Sequence, residues 1–128
     1  MVIVAQIVAA LAAALHVMFW VFESVLWSRP AIHQKFGVGS AERAEIVRPM
    51  AYNQGFYNLA LAIGVLVGVV LVGMDGDQGV VGKTLIVFGA GCMAFAGAVL
   101  ASSGARYLRA ASIQFVPAAL AVILTLVS

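Results

Sequence analysis

Four long apolar runs restrict what this chain can fold into. They cover Val2 to Trp27, Met50 to Gly73, Val80 to Ala101 and Ala110 to Val127. An α-helix needs about 20 apolar residues to cross the hydrocarbon core of a bilayer. Only 9% of the residues are charged, whereas soluble domains contain roughly 25%. We therefore predict an all-α integral membrane protein, a bundle of four transmembrane helices at about residues 2–27, 50–73, 80–101 and 107–127.

The length of the chain limits what else it can contain. With 128 residues, the four spans form a single domain (1–128) and leave no room for a soluble catalytic domain. The first span lacks a basic n-region and carries Glu23 near its end, so we expect it to remain in the mature protein. Cys92 is the only cysteine, which excludes an intrachain disulfide. The formal charge of +2 is too small to indicate nucleic-acid binding.

Basic residues fall mainly on one side of the predicted helices. Only Lys83 lies on the side of the connection between the second and third spans, near the start of the third span. The other six lie between spans one and two or between spans three and four: Arg29, Lys35, Arg43, Arg48, Arg106 and Arg109. The positive-inside rule places these two connections in the cytoplasm and both termini outside, in a multi-pass protein of the cell membrane. We interpret Arg106 and Arg109 as topological anchors, and whether either contacts a ligand stays open.

The longer basic connection also contains a helix signal. Ser40 can serve as the N-cap of a short helix over Ala41 to Val47, with Arg43 at the third position. We expect this helix to lie on the membrane surface.

Two ionisable side chains, His16 and Glu23, interrupt the first span. In an ideal helix their spacing corresponds to ~10.5 Å along the axis and an angular offset of only ~20°. Trp20 and Trp27 each follow one of them by four residues, on the same stripe. Ionisable groups at membrane depth are costly and mark function, so we take His16 and Glu23 as candidate proton carriers. Glu23 could alternatively reach the interface or pair with a basic loop residue, whereas His16 lies too deep for this.

Further polar side chains are predicted to converge on His16 and Glu23. The second span begins with a polar cluster, and in the fourth span a glutamine precedes Pro117, which frees a backbone carbonyl. The candidate ligand-binding residues are Trp20, Trp27, Asn53, Gln54, Tyr57, Asn58 and Gln114. We expect Glu23, Asn58 and Gln114 to point inward, with at least two of them in one hydrogen-bond network, in a polar crevice open to the cytoplasm. The alternative is that the amides only satisfy helix ends and neighbouring helices.

Three segments of the chain together resemble one protein family. They are LHVMFWVFESVLW (15–27), NQGFYNLALAIG (53–64) and SIQFVPAAL (112–120). The chain is similar over essentially its whole length to domain of unknown function 1304, a family of small bacterial membrane proteins similar in layout to DoxX-like proteins. The resemblance implies four transmembrane helices and no established activity. His16, Glu23, Asn53, Gln54, Asn58 and Gln114 match its motifs without an assigned role.

Three functions are compatible with these residues. The leading hypothesis is a crevice that binds a small amphipathic or lipid-like ligand, with acid–base chemistry by His16 and Glu23 as a further option. A proton-coupled small-molecule transporter is the first alternative, and a non-catalytic accessory membrane subunit is the second. We expect no metal and no cofactor, since His16, Glu23 and His33 do not have the spacing of a metal site. Homo-oligomers or a membrane protein partner remain open, as does enzymatic activity.

Overall fold

The computed structural model describes residues 1–128 and contains helices only. Four helical segments are long and apolar enough to cross a membrane: Val2–Val25, Ala41–Leu71, Asp77–Ser102 and Ala105–Leu126. These confirm the predicted all-α architecture of four membrane-spanning helices. The helices are α1 (Val2–Trp20), α2 (Pro30–His33), α3 (Ala41–Leu71), α4 (Asp77–Ser102) and α5 (Leu108–Leu126).

Helix α3 joins two segments that we predicted as separate helices, Ala41 to Val47 and the span that begins at Met50. It begins at Ala41, where the Arg43 backbone N–H donates to Ser40 Oγ (3.2 Å), as expected for an N-cap. The helix then continues through Pro49 into the apolar run. Proline lacks a backbone N–H and ordinarily interrupts a helix, but α3 runs for 31 residues, or about 46 Å. That length exceeds the ~30 Å of a hydrocarbon core, so part of α3 extends beyond it.

Contacts along the chain divide it into two compact units. The first unit contains Met1–Leu15 and Leu61–Ser128, and its core consists largely of small side chains. Close helix packing there depends on glycine. A methyl group at Gly68 would lie 2.9 Å from the Gly82 carbonyl oxygen, and one at Gly97 would lie 2.9 Å from Phe115 Cβ. Helices in a membrane gain most of their association from this kind of close van der Waals approach.

The second unit, His16–Ala60, contains the end of α1, the basic connection and the beginning of α3. Its basic connection is folded rather than extended. Trp27 Nε1 donates to the Ala44 carbonyl (2.9 Å), and His33 Nδ1 donates to the Val38 carbonyl (2.6 Å). The Trp27 ring also contacts His33 and Phe36, with centroid separations of 6.4 and 5.4 Å. These contacts hold α2 and the following 3₁₀ turn against the start of α3.

Candidate functional site

The site lies in the second unit and starts from an irregular turn of the first span. Directly after α1, residues Val21–Val25 form a π-helical turn, in which Leu26 N–H donates to the Val21 carbonyl (2.9 Å). Such turns are rare and frequently occur at functional sites. The turn contains Glu23 and Ser24. The ideal-helix angle that placed His16 and Glu23 on one stripe therefore does not apply beyond Trp20, because a π turn changes the number of residues per turn.

Gly55 on α3 allows the backbone of this turn to come close. A methyl group at Gly55 would overlap with Ser24 Oγ and would lie 3.2 Å from Glu23 Cβ. Ser24 Oγ in turn donates to the Tyr52 carbonyl at 2.9 Å. This hydrogen bond uses a backbone carbonyl one turn before Gly55, so the two segments are held at the point where glycine makes room.

Glu23 and Asn58 meet at this approach. Asn58 Nδ2 donates to Glu23 Oε2 at 2.8 Å, and the Asn58 side chain is 6% exposed. Glu23 itself is half-buried, and its second carboxylate oxygen makes no hydrogen bond within the protein. A hydrogen bond from a neutral amide satisfies one oxygen but supplies no positive charge. The carboxylate is therefore held in place with one oxygen still available.

Three aromatic rings form a continuous row on the two segments that carry Glu23 and Asn58. Trp20 meets Phe56 in an edge-to-face arrangement (6.1 Å between centroids), and Phe56 meets Tyr52 (5.0 Å). Phe56 and Tyr52 are substantially exposed. The Trp20 indole N–H is buried and has no acceptor in the protein. Buried donors are normally paired, so this N–H is a second unused hydrogen-bonding group, three residues before Glu23 on the same segment.

The remaining predicted site residues occupy different environments. His16 is 1% exposed and packs edge to face against Phe19 (5.2 Å between centroids). Asn53, Gln54 and Tyr57 are exposed and make no side-chain hydrogen bond. Trp27 uses its indole N–H within the chain, on the Ala44 carbonyl. Gln114 lies half-buried on α5 in the first unit. The roles proposed for these residues stay predictions.

Sequence reasoning did not select Ser24, Tyr52 or Phe56. Ser24 has an ordinary explanation as a polar residue near a helix end, and its partner is a backbone carbonyl that has no sequence signal. The four-residue spacing of Tyr52 and Phe56 on one helix face does carry a signal, since residues i and i+4 are neighbours on a helix. No group of three or more His, Cys, Asp or Glu side chains is arranged to hold a metal ion.

Comparison with known proteins identifies the family. No curated protein and no solved structure matches the chain. A family model described as a protein of unknown function, DUF1304, matches residues 10–126. This range includes the π turn, Gly55, Asn58 and the aromatic row. By a match over nearly its whole length, the chain belongs to the DUF1304 family.

Proposed function

We propose that the Glu23 site binds the polar head of a small amphipathic or lipid-like molecule, in a crevice that opens towards the cytoplasm. The observation that carries this proposal is that two polar groups of one segment, three residues apart, have no hydrogen-bond partner in the protein. Glu23 Oε1 has no donor, and the indole N–H of Trp20, three residues earlier, has no acceptor. The buried Trp20 N–H costs about 1–3 kcal/mol while it is unsatisfied. An acceptor on the ligand would remove this cost, and a donor on the ligand could bond to Glu23 Oε1.

The surroundings of these groups suit an amphipathic ligand. Glu23 belongs to a segment that is long and apolar enough to cross a membrane, so a ligand bound there would have apolar surroundings. The exposed side chains of Tyr52 and Phe56, on the turns of α3 that contact Ser24 and Trp20, offer apolar contact. Ligand sites commonly combine apolar and aromatic walls with a few placed polar groups. The cytoplasmic opening rests on the distribution of basic residues, which follows the positive-inside rule.

Proton transfer is a second part of the proposal. His16 is a buried ionisable side chain on the same span as Glu23. Histidine is the side chain that normally titrates between about pH 5 and 8, which suits it to accept or release a proton during ligand exchange. We assign His16 and Glu23 to this role, without a nucleophile or a metal.

Native mass spectrometry of the lipid-embedded protein tests the binding function. We expect a bound small molecule in the wild type and a weaker complex in Trp20→Phe, which keeps a ring but removes the unused N–H. The loss of one hydrogen bond corresponds to about a 2- to 10-fold weaker complex. Trp27→Phe is the matched control, because it removes an indole N–H that already donates to Ala44.

Two results would contradict the proposal. One is the absence of any bound molecule in the wild type, and the other is equal retention in the two tryptophan variants. A stoichiometric protein partner in place of a small molecule would instead support the accessory-subunit alternative.

A further inference from the structure

An ionised Glu23 would have no cationic partner within the chain. Of the five acidic residues, Glu42 and Glu45 lie in the first turns of α3. Asp75 lies in the connection before α4, and Asp77 is the first residue of α4. Only Glu23 lies between apolar residues of a span. The single ion pair of the protein joins Arg48 and Glu45 at 3.2 Å. An acidic group at membrane depth is tolerated when it is paired, and Glu23 is paired only with a neutral amide.

The row formed by Trp20, Phe56 and Tyr52 adds a second kind of group that attracts cations. The faces of Trp, Tyr and Phe rings attract a cation placed within about 6 Å of their centroids. Trp20, Phe56 and Tyr52 follow one another at centroid separations of 6.1 and 5.0 Å. The rings and the carboxylate belong to the same two segments, because Trp20 precedes Glu23 by three residues and Ser24 Oγ donates to the Tyr52 carbonyl. A carboxyl group and a row of aromatic rings therefore lie on the same two segments, and these are groups that attract organic ammonium ions.

We infer that the ligand of the Glu23 site is an organic ammonium ion on an apolar body, with its charged nitrogen against Glu23 and its carbon substituents against Trp20, Phe56 and Tyr52. This inference rests on the proposed function and specifies its ligand class. An anionic head group would meet the carboxylate without a neighbouring cation. A metal ion would need further ligands that the protein does not arrange. A neutral head would leave the carboxylate unpaired.

The test compares three probes that share a dodecyl chain. Dodecyltrimethylammonium, dodecanol and dodecyl sulfate are titrated into phosphatidylcholine nanodiscs that contain the protein, and empty nanodiscs supply the background for partitioning. The protein carries a formal charge of +2, so its overall charge favours the sulfate. We expect the ammonium probe to bind at least about tenfold more tightly than either other probe, because only it can form a charge pair with Glu23.

Variants show whether that preference arises at Glu23. Glu23→Gln keeps an acceptor for Asn58 but removes the charge, and we expect about a tenfold loss for the ammonium probe only. Glu45→Gln is the matched control, since it removes an equal charge from an exposed ion pair. Phe56→Leu should weaken ammonium binding about threefold. Glu23→Asp keeps the charge and should preserve the preference for the ammonium probe, even where the shorter side chain reduces affinity.

The outcomes separate the two proposals. If dodecanol binds as tightly as the ammonium probe and Trp20→Phe weakens both, the ammonium inference is wrong while the binding function stands. If no probe binds above the empty-nanodisc background, the binding function fails as well. If the ammonium preference persists in Glu23→Gln, the cation is recognised elsewhere and the inference is overturned.

Discussion

Gly55→Ala should destabilise the protein, although alanine favours helices. The added methyl group would overlap with Ser24 Oγ, and it would lie 3.1 Å from Ser24 Cβ and 3.2 Å from Glu23 Cβ. The side chain of Ser24 cannot leave without losing its hydrogen bond to the Tyr52 carbonyl. The remaining contacts would then force the π turn and α3 apart by a few tenths of an ångström. The same movement would lengthen the bond between Asn58 and Glu23.

The expected magnitude follows from three contributions. Overpacking in a closely packed contact costs about 1–3 kcal/mol. The lost serine hydrogen bond adds about 0.6 kcal/mol, the average for such bonds in membrane helices. Alanine in place of glycine within a helix recovers about 1 kcal/mol. The net decrease in the free energy of unfolding is therefore about 0.6–2.6 kcal/mol.

Gly64→Ala is the matched control for Gly55→Ala. Both glycines belong to α3, but nothing lies within 4 Å of the Cβ position at Gly64. This variant should be neutral or stabilised by up to about 1 kcal/mol. The free energy of unfolding can be measured by titrating dodecyl sulfate into maltoside micelles and following circular dichroism. The difference between the two variants isolates the steric contribution, because helix propensity cancels.

A double variant tests the cause of the destabilisation. Adding Ser24→Ala to Gly55→Ala removes the overlapping oxygen, so we expect the two changes to be non-additive, with a coupling energy of about 0.5–2 kcal/mol. Equal stability of Gly55→Ala and Gly64→Ala would refute the close approach at Gly55. Strict additivity with Ser24→Ala would refute Ser24 as its origin.

Three further predictions concern other parts of the molecule. Cysteines at the exposed positions Gln34 and Gln78, in a Cys92→Ser background, should label from the cytoplasmic and external sides respectively. External labelling at position 34 in intact cells would show that the predicted orientation is wrong. His33→Asn keeps a donor near Nδ1 and should leave the basic connection resistant to protease. His33→Ala should reduce the stability of the folded connection by about 1 kcal/mol and be cleaved faster. Equal cleavage rates would show that the bond from His33 to the Val38 carbonyl does not hold the connection in its fold. His16→Gln should leave the fold assembled but remove the pH dependence of ligand retention between about pH 5 and 8, so unchanged pH curves would assign that dependence to another group.

The number and type of the helices could be predicted from the sequence. Crossing ~30 Å of hydrocarbon requires about 20 apolar residues with every backbone group bonded internally, and that requirement is local to each run. The N-cap at Ser40 was predictable for the same reason, since its oxygen bonds to the N–H of Arg43 only three residues away. Glu23 and Asn58 were also identified, because polar side chains are conspicuous within apolar spans.

The arrangement around Glu23 depended on tertiary structure. The π turn at Val21–Val25 has no local signal, because its apolar residues fit an α-helix equally well. The course of α3 through Pro49 likewise depends on its surroundings, since proline by itself predicts a break. Asn58 and the neighbouring Asn53 have the same chemistry, yet only Asn58 bonds to Glu23. The distinction follows from packing: Gly55 lets one face of α3 reach the turn, and the residues on that face become the site.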